Sequence, residues 1–416
     1  MSKHEYGLIG RRLSHSCSPE LHNLLRGYQY DLIELEPEEL EPFIRAGKFR
    51  GLNVTIPYKR EALLLCDSLS ERAGRVGAVN TVVRRPDGSL FGDNTDCAGF
   101  IYMCERAGIS FAGERVLILG SGGTSRAALC AAEDMGAAEI TVISRSGENT
   151  YKDLPAYRHY THVVNTTPVG MYPRADGSPL INLKDFPDCG GVVDVIYNPL
   201  RTRLLQEAEA LGIPASNGLS MLAAQAKYSS DLFTGEALPD SAIEKALSAL
   251  LKTRENIALV GMPGCGKSTV GRLLAEGLGL RFVDIDAEIE ARAGHGIPEI
   301  FARDGEEAFR DLESDALTDL CSHGGQVIAA GGGAVLRPQN IAALKWNSRV
   351  VWLRRSLDKL ALNGRPLSAD RDALARLWAE RESFYRAAAD IIVDNDTESP
   401  ADCALFLLNN SHGVGR

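Results

Sequence analysis

Several absences narrow the reading of this chain before any motif does. Its 416 residues hold no Cys-x-x-Cys pair and no zinc-type Cys/His spacing. Nine scattered cysteines, an odd number, read as free thiols rather than a disulfide framework, and so as a chain of the reducing cytoplasm. No window is long and apolar enough to cross a bilayer. The opening Met1-Ser-Lys-His-Glu-Tyr6 runs straight into a strand pattern, without the apolar stretch of a signal peptide. Internal repeats and low-complexity tracts are missing as well. Nor is there a basic excess: 45 Lys and Arg against 55 Asp and Glu give a net charge of -10, which argues against nonspecific nucleic-acid binding as the main role. Small molecules are left as the expected partners, anionic ones included, because binding sites are local.

What is present is an ordinary globular composition, 44% hydrophobic and 24% charged, in a length that suits two or three domains. Short apolar runs alternate with helical stretches, which predicts α/β layers around parallel sheets. Strands are expected near Gly7, Ile33, Val54 and Val79, with helices around Leu21, Phe43 and Ala62 and a longer one over Asp96–Ala107. A buried strand Arg115–Leu119, a helix Arg126–Met135 and a strand Ile140–Ile143 follow as one βαβ unit. The predicted organisation is a substrate-binding α/β domain over 1–105, a Rossmann-like domain over 106–235, a linker over 236–254 containing a helix near 243–251, and a phosphate-loop domain over 255–416.

The most specific motif is Gly261-Met-Pro-Gly-Cys-Gly-Lys-Ser-Thr269, directly after the run Ile257–Val260. It fits Gly-x-x-x-x-Gly-Lys-[Ser/Thr], the loop that wraps nucleotide phosphates. Glycines at 261, 264 and 266 let backbone N–H groups turn inward, and the next helix adds the positive end of its dipole. Gly264, Cys265, Gly266, Lys267, Ser268 and Thr269 are thus expected to bind ATP, with Lys267 on the β/γ-phosphates and the Ser268 hydroxyl on Mg²⁺. A phosphate loop follows the first strand of its own domain, so the residues before it form a separate folded unit.

Gly120-Ser121-Gly122-Gly123-Thr124 is a weaker signal, since it departs from Gly-x-Gly-x-x-Gly. Its context strengthens it: a strand before, a helix after, and a second strand ending in Ser144-Arg145-Ser146. The end of that strand meets the adenosine ribose in dinucleotide folds, where an acid selects NAD and a basic residue accommodates the 2′-phosphate of NADP. Arg145, with no acid beside it, favours NADP(H).

Seven signatures in register then carry a family resemblance. Ser14-His-Ser-Cys-Ser-Pro19, Asn53-Val-Thr-Ile-Pro-Tyr-Lys59, Gly77-Ala-Val-Asn-Thr81, Asn94-Thr-Asp96, Asn165-Thr-Thr-Pro-Val-Gly-Met171, Asp194-Val-Ile-Tyr-Asn-Pro199 and Gly218-Leu-Ser-Met-Leu-Ala-Ala-Gln225 resemble the shikimate dehydrogenases over about residues 5–235. The resemblance implies that Lys59 and Asp96 are the catalytic pair. It also implies that Ser16 and Ser18 bind the substrate carboxylate, and that Thr55, Asn80, Asp96, Tyr197 and Gln225 contact the ring. Val195 and Gly218 would join the NADP site. A ketone reduction needs a hydride from the nicotinamide and a proton for the developing alkoxide, which a lysine beside a carboxylate can hold and relay. Ser18-Pro19 also reads as a helix start with serine at the N-cap, and Cys17 and His15 read as structural. Relatives continue the cofactor-selecting turn as Asn-Arg-Thr plus another basic residue, whereas here it is Ser144-Arg-Ser-Gly-Glu-Asn149.

In the second half, Arg281-Phe-Val-Asp-Ile-Asp286 reads as a strand whose alternate acids, Asp284 and Asp286, share a face. A helical block follows at Gly305–Glu313. Gln326–Gly333 reads as a strand ending in glycines, which permit close approach of a ligand. These features resemble shikimate kinase over about residues 256–410. The resemblance makes Asp284 the Mg²⁺-side acid, acting through water, and Asp286 the acid on the shikimate hydroxyls. Arg310, Gly332 and Arg381 form the carboxylate site, and Arg365, in the lid Asn363-Gly-Arg-Pro-Leu367, reaches the transferring phosphate. Arginine's planar fork suits a carboxylate. The Arg-x-Pro-Leu-Tyr pattern of relatives is here Arg381-Glu-Ser-Phe-Tyr385.

Both resemblances name shikimate, and the product of the first reaction is the substrate of the second. The reading is a bifunctional enzyme of aromatic amino-acid synthesis using NADPH, ATP and Mg²⁺, built as two independent modules. Two alternatives stand beside it. One is a catabolic quinate/shikimate dehydrogenase using NAD, and the other a ligand sensor made of inactivated domains; Arg145 and the intact Lys59, Asp96, Lys267, Ser268 and Asp286 weigh against them.

Overall fold

A computed structural model describes residues 5–13, 16–47, 49–360, 371–396 and 399–410. Two compact units emerge. One comprises 1–169, 178–197 and 207–250, and the other 170–177, 198–206 and 251–416. Among the described residues no helix is long and apolar enough to cross a membrane, and all nine cysteines are free.

The first unit holds two six-stranded sheets. In one, Tyr6–Gly10 lies between the parallel strands Asp31–Glu34 and Gly51–Val54. Thr81–Arg84 and Leu90–Asp93 then continue the sheet antiparallel. Parallel pairing throughout was the expectation, and the strand expected at Val79 begins instead at Thr81. The short connection 85–89 accounts for the antiparallel pair it joins, because it closes a hairpin and is too short for a parallel crossover. This mixed arrangement has a functional consequence. Asn80 precedes a strand antiparallel to Gly51–Val54, while Thr55 and Asn94 follow strands of the other direction, so all three emerge at the same end of the sheet.

The second sheet is all parallel, in the order Ala215–Ser216, Gly191–Asp194, His162–Asn165, Arg115–Leu119, Glu139–Ser144, Asn149–Thr150. This is the doubly wound dinucleotide-binding order, with the reversal beside Arg115–Leu119, where ligands bind outside the strand ends. Its helix spans Gly123–Asp134, three residues earlier than expected. Helices Thr95–Arg106 and Leu219–Thr234 pack closely because Gly99 has no side chain: a Cβ there would sit 2.8 Å from Met221 O and 3.1 Å from Gln225 Cβ.

The second unit is built on a five-stranded parallel sheet, Arg281–Asp284, Gln326–Ala329, Asn256–Val260, Ser348–Arg354, Ile391–Asp394. The near-continuous apolar Ile257–Val260 lies at its centre, as two-sided burial requires. Two stretches from earlier in the chain belong to this unit. Ala175 joins its hydrophobic core. Arg201 forks onto Asp390 at 2.9 and 3.0 Å, its backbone N–H donates to Trp346 O at 2.9 Å, and Leu200 N–H donates to Asn347 Oδ1 at 2.8 Å. The helix expected near 243–251 runs Ser241–Arg254. Within the first unit, its Glu244 accepts from Arg106 Nε at 2.8 Å and Tyr102 Oη at 2.6 Å. The units therefore do not follow a single cut through 236–254.

Candidate active sites

In the first unit Lys59 opens the helix Lys59–Leu65 and Asp96 lies in the first turn of Thr95–Arg106, which Asn94 caps through Asp96 N–H. Lys59 Nζ meets Asp96 Oδ2 at 2.6 Å, and Asn80 Nδ2 donates to Asp96 Oδ1 at 2.8 Å. Both carboxylate oxygens thus have charged or amide donors, and the pair keeps some solvent access, 20% and 12% of each side chain. Ser16 and Ser18 lie Oγ to Oγ at 3.1 Å. Ser18 is the first residue of its helix rather than its N-cap; Cys17 takes that place, with no side-chain cap bond. The Ser18 hydroxyl is therefore not committed to capping. Thr55 is held by its N–H to Ile9 O at 2.9 Å. Half-buried Tyr197 follows Gly191–Asp194, and Gln225 Nε2 donates to Leu222 O at 3.1 Å. His15 lies outside the described residues.

The glycine loop follows Arg115–Leu119. Gly120 has φ of 108° and sits against Thr166, Ser125 Oγ donates to Gly120 O at 2.7 Å, and Gly122 caps the next helix. Ser121, Gly122 and Gly123 are exposed, with Thr124 half-buried behind them. Val195 and Gly218 meet so closely that a Cβ on Gly218 would lie 2.0 Å from Val195 O. Ser144 is buried at its strand end, and Arg145 beside it is exposed. A residue not anticipated is Arg126, on the first turns of Gly123–Asp134. Burial first and then the nearby Arg60 hold its guanidinium below the usual range. Its place six residues after Gly120 was the available signal.

The buried thiols Cys97 and Cys130 lie with Asp134 in a group of potential metal ligands. Arg75 already holds Asp134 at 2.5 Å, and burial raises both thiols. This chemistry does not fit a cation.

In the second unit the loop after Asn256–Val260 has positive φ at Gly261, Gly264 and Gly266, and Gly266 caps Lys267–Leu278. Lys267 is 8% exposed, its Nζ donating to Gly261 O at 2.8 Å and Met262 O at 3.1 Å. Buried Cys265 contributes its backbone, whose carbonyl accepts from Asn395 Nδ2 at 2.7 Å, while Thr269 is exposed. Ser268 Oγ donates to Asp284 Oδ2 at 2.6 Å. These adjacent hard oxygen donors fit Mg²⁺.

Asp284 and Asp286 do not alternate along one strand, contrary to the sequence expectation. The strand ends at Asp284, which caps the helix Ile285–Ala293 by accepting from Asp286 N–H at 3.1 Å, so Asp286 is a first-turn helical residue. The helical block is part of Ile297–Cys321, broken at Gly305 with φ of 85°. Arg310 is buried and donates to Glu313 Oε2 at 2.8 Å and Glu306 Oε1 at 3.1 Å. Burial opposes its charge, but the two carboxylates prevail and hold it above the usual range. Gly332 O accepts from Tyr385 Oη, and a Cβ on Gly331 would lie 2.2 Å from Glu313 Oε1 and 3.2 Å from Asp286 Oδ1. Arg381 is 4% exposed with Nε unpartnered, as is Glu313 Oε1. Glu313 was missed; Glu three residues after Arg310 was the signal, a helical spacing that places the two on one face. Arg365 and the lid 363–367 lie outside the described residues.

Comparison with known proteins agrees with both halves. The family model for the shikimate dehydrogenase substrate binding domain matches residues 8–82, and that for shikimate kinase matches 263–410. The shikimate dehydrogenase (NADP(+)) of Alkaliphilus oremlandii is 35% identical over 272 residues, covering 58% of this chain and 95% of the relative. The crystal structure of shikimate 5-dehydrogenase from Thermus thermophilus in complex with NADP(H) and shikimate is 34% identical with a TM-score of 0.54, covering 59% of this chain and 98% of that one. The quinate dehydrogenase from Corynebacterium glutamicum in complex with NAD shares 29% identity and a TM-score of 0.53, over 58% and 98%. The chain belongs to the shikimate dehydrogenase family and carries a shikimate kinase domain behind it.

Proposed function

We propose that this bifunctional enzyme reduces 3-dehydroshikimate at Lys59 and Asp96 and phosphorylates the resulting shikimate, at its 3-hydroxyl, in the second unit. The observation that carries the first role is the 2.6 Å contact between Lys59 Nζ and Asp96 Oδ2, with Asn80 on the other carboxylate oxygen. NADPH supplies the hydride. Lys59 donates a hydrogen bond and then a proton to the ketone oxygen as it becomes an alkoxide, and Asp96 orients the ammonium. Ser16 and Ser18 offer hydroxyls to the carboxylate, while Thr55, Tyr197 and Gln225 offer polar groups to the ring.

In the second reaction Lys267 and the loop N–H groups from Gly264 to Thr269 hold phosphates. Ser268 and Asp284 would hold Mg²⁺, which neutralises phosphate charge. Asp286 takes the shikimate hydroxyls, and Arg310 and Arg381 the carboxylate, with Arg365 assigned to the moving phosphate from sequence. Supplying 3-dehydroshikimate, NADPH and MgATP together tests the whole reading: NADPH oxidation with appearance of shikimate 3-phosphate is expected, and loss of either product overturns the corresponding half. With NADH replacing NADPH, kcat/KM is expected to fall, since Arg145 stands where a ribose-binding acid would. Equal values for the two cofactors would remove Arg145 from the site.

Arg310→Ala is expected to weaken shikimate binding to the kinase by about 1.5–3 kcal/mol, the worth of a charge-assisted hydrogen bond, or roughly 10- to 150-fold in Kd. ATP affinity should be unchanged. Titration of each ligand separately checks this, and an unchanged shikimate Kd would show Arg310 to be only Glu313's structural partner.

A further inference from the structure

We infer that Ser229, on the helix Leu219–Thr234, is a positioning residue for the reduction, fixing the amide of Asn80 and through it the Asp96 carboxylate. This rests on the assignment of Asp96 and Gln225 to the active site above. Ser229 is fully buried, and its Oγ lies 2.6 Å from Gln225 O, 2.8 Å from Asn53 Nδ2, 3.1 Å from Thr95 Oγ1 and 3.2 Å from Thr81 Oγ1.

A hydroxyl has one proton and two acceptor sites, and the surroundings fix where each goes. A carbonyl only accepts, so the Ser229 proton goes to Gln225 O. The Asn53 amide is oriented by Tyr30 Oη, which donates to its Oδ1 at 2.7 Å, leaving Nδ2 to donate to Ser229. Asn80 Oδ1 accepts from Thr95 N–H at 2.8 Å and Thr81 Oγ1 at 2.9 Å, which fills both its lone pairs. The Thr95 proton is therefore given to Ser229, and the Thr95 oxygen is left to accept from Asn80 Nδ2 at 3.0 Å. With that bond in place, Asn80 turns its remaining N–H to Asp96 Oδ1 at 2.8 Å. One buried hydroxyl thus ties the turn bearing Gln225 to the support of the catalytic carboxylate.

Without the Ser229 oxygen, the Thr95 proton is left with the occupied Asn80 Oδ1 at 3.2 Å or the longer contact to Thr81 Oγ1 at 3.3 Å. The Thr95 hydroxyl then loses its fixed direction and its lone pair no longer points steadily at Asn80 Nδ2, so the amide keeps its sense but loses the bond that sets its tilt against the Asp96 carboxylate. Ser229→Ala is expected to lower kcat for reduction about 10- to 100-fold, the scale of a misplaced catalytic group. The KM for NADPH should stay within about twofold, because the glycine loop is untouched; Ser229→Cys, with its weak donor and acceptor, should fall between. Lys59→Ala runs in parallel. If it lacks effect, the site assignment itself fails. If it abolishes reduction while Ser229→Ala keeps parental kcat, with only a lowered melting temperature, Ser229 is structural and the inference is overturned. Should Ser229→Ala not fold, parental kcat in Ser229→Cys overturns it equally.

Discussion

Lys59→Ala is expected to cut the turnover of 3-dehydroshikimate reduction by about 10²–10⁴-fold, the range for removing a positioned general acid, while kinase turnover on the same chain is unchanged. The ketone oxygen must gain a proton as it gains negative charge, and Lys59 is the cationic group held against Asp96 at 2.6 Å. Water can replace the proton but not its placement, so kcat suffers more than substrate KM. Two side effects are bounded by the structure. Asp96 keeps its bond from Asn80, so its carboxylate is not stranded. Lys59 is at the start of its helix and partly exposed, so truncation leaves no core cavity. Steady-state rates of both activities, measured on one preparation, check the prediction. Reductase turnover equal to the parent would move the proton donor elsewhere.

The two glycine loops proposed to hold phosphates were legible as turns because their conformation constrains the backbone. Only glycine takes φ of 108° at residue 120 and 98° at 266 without strain, and that requirement is written directly into the sequence. Strand and helix order was legible from periodicity for the same reason of locality. The sharing of acids was not: Asp284 and Asp286 two apart suggested strand alternation, but Asp284 turned its carboxylate back onto Asp286 N–H and started a helix. A short acid competes with the strand ladder for its own backbone, and period-two spacing does not reveal when it wins. Ser229 and the burial of Glu313 escaped the sequence for a different reason. The partner of Ser229, Asn53, lies far along the chain, and no local pattern records such a pairing; Glu313 stands at helical spacing from Arg310, but that spacing alone does not distinguish a buried pair from an exposed one. The inclusion of 198–206 in the second unit is likewise a long-range pairing, made by Arg201 with Asp390. A fragment starting near 255 would lack that segment, so the expectation of two independent modules is not carried by folding alone.

Lys267→Ala should abolish phosphoryl transfer, to below about 1% of the parent, a change of at least about 2.7 kcal/mol in barrier height. Lys267 is buried within the turn of its own loop and donates to Gly261 O and Met262 O. Its charge is therefore prepositioned, in a setting with little water to screen it, at the proposed β/γ-phosphate site. Alanine removes that charge and also leaves the two carbonyls without the ammonium, so loss of activity by itself would not separate chemistry from loop collapse. Reduction in the same reaction provides one control: with 3-dehydroshikimate, NADPH and MgATP supplied, NADPH should still be consumed and shikimate should accumulate unphosphorylated. Nucleotide binding provides the other. Ligand present at 100 times its Kd raises stability by about 2.7 kcal/mol, so ATP should raise the melting temperature of the parent's second unit clearly and that of the variant less. Full ATP stabilisation with no phosphorylation would place Lys267 in the transition state alone; substantial shikimate 3-phosphate formation would remove it from the phosphate site.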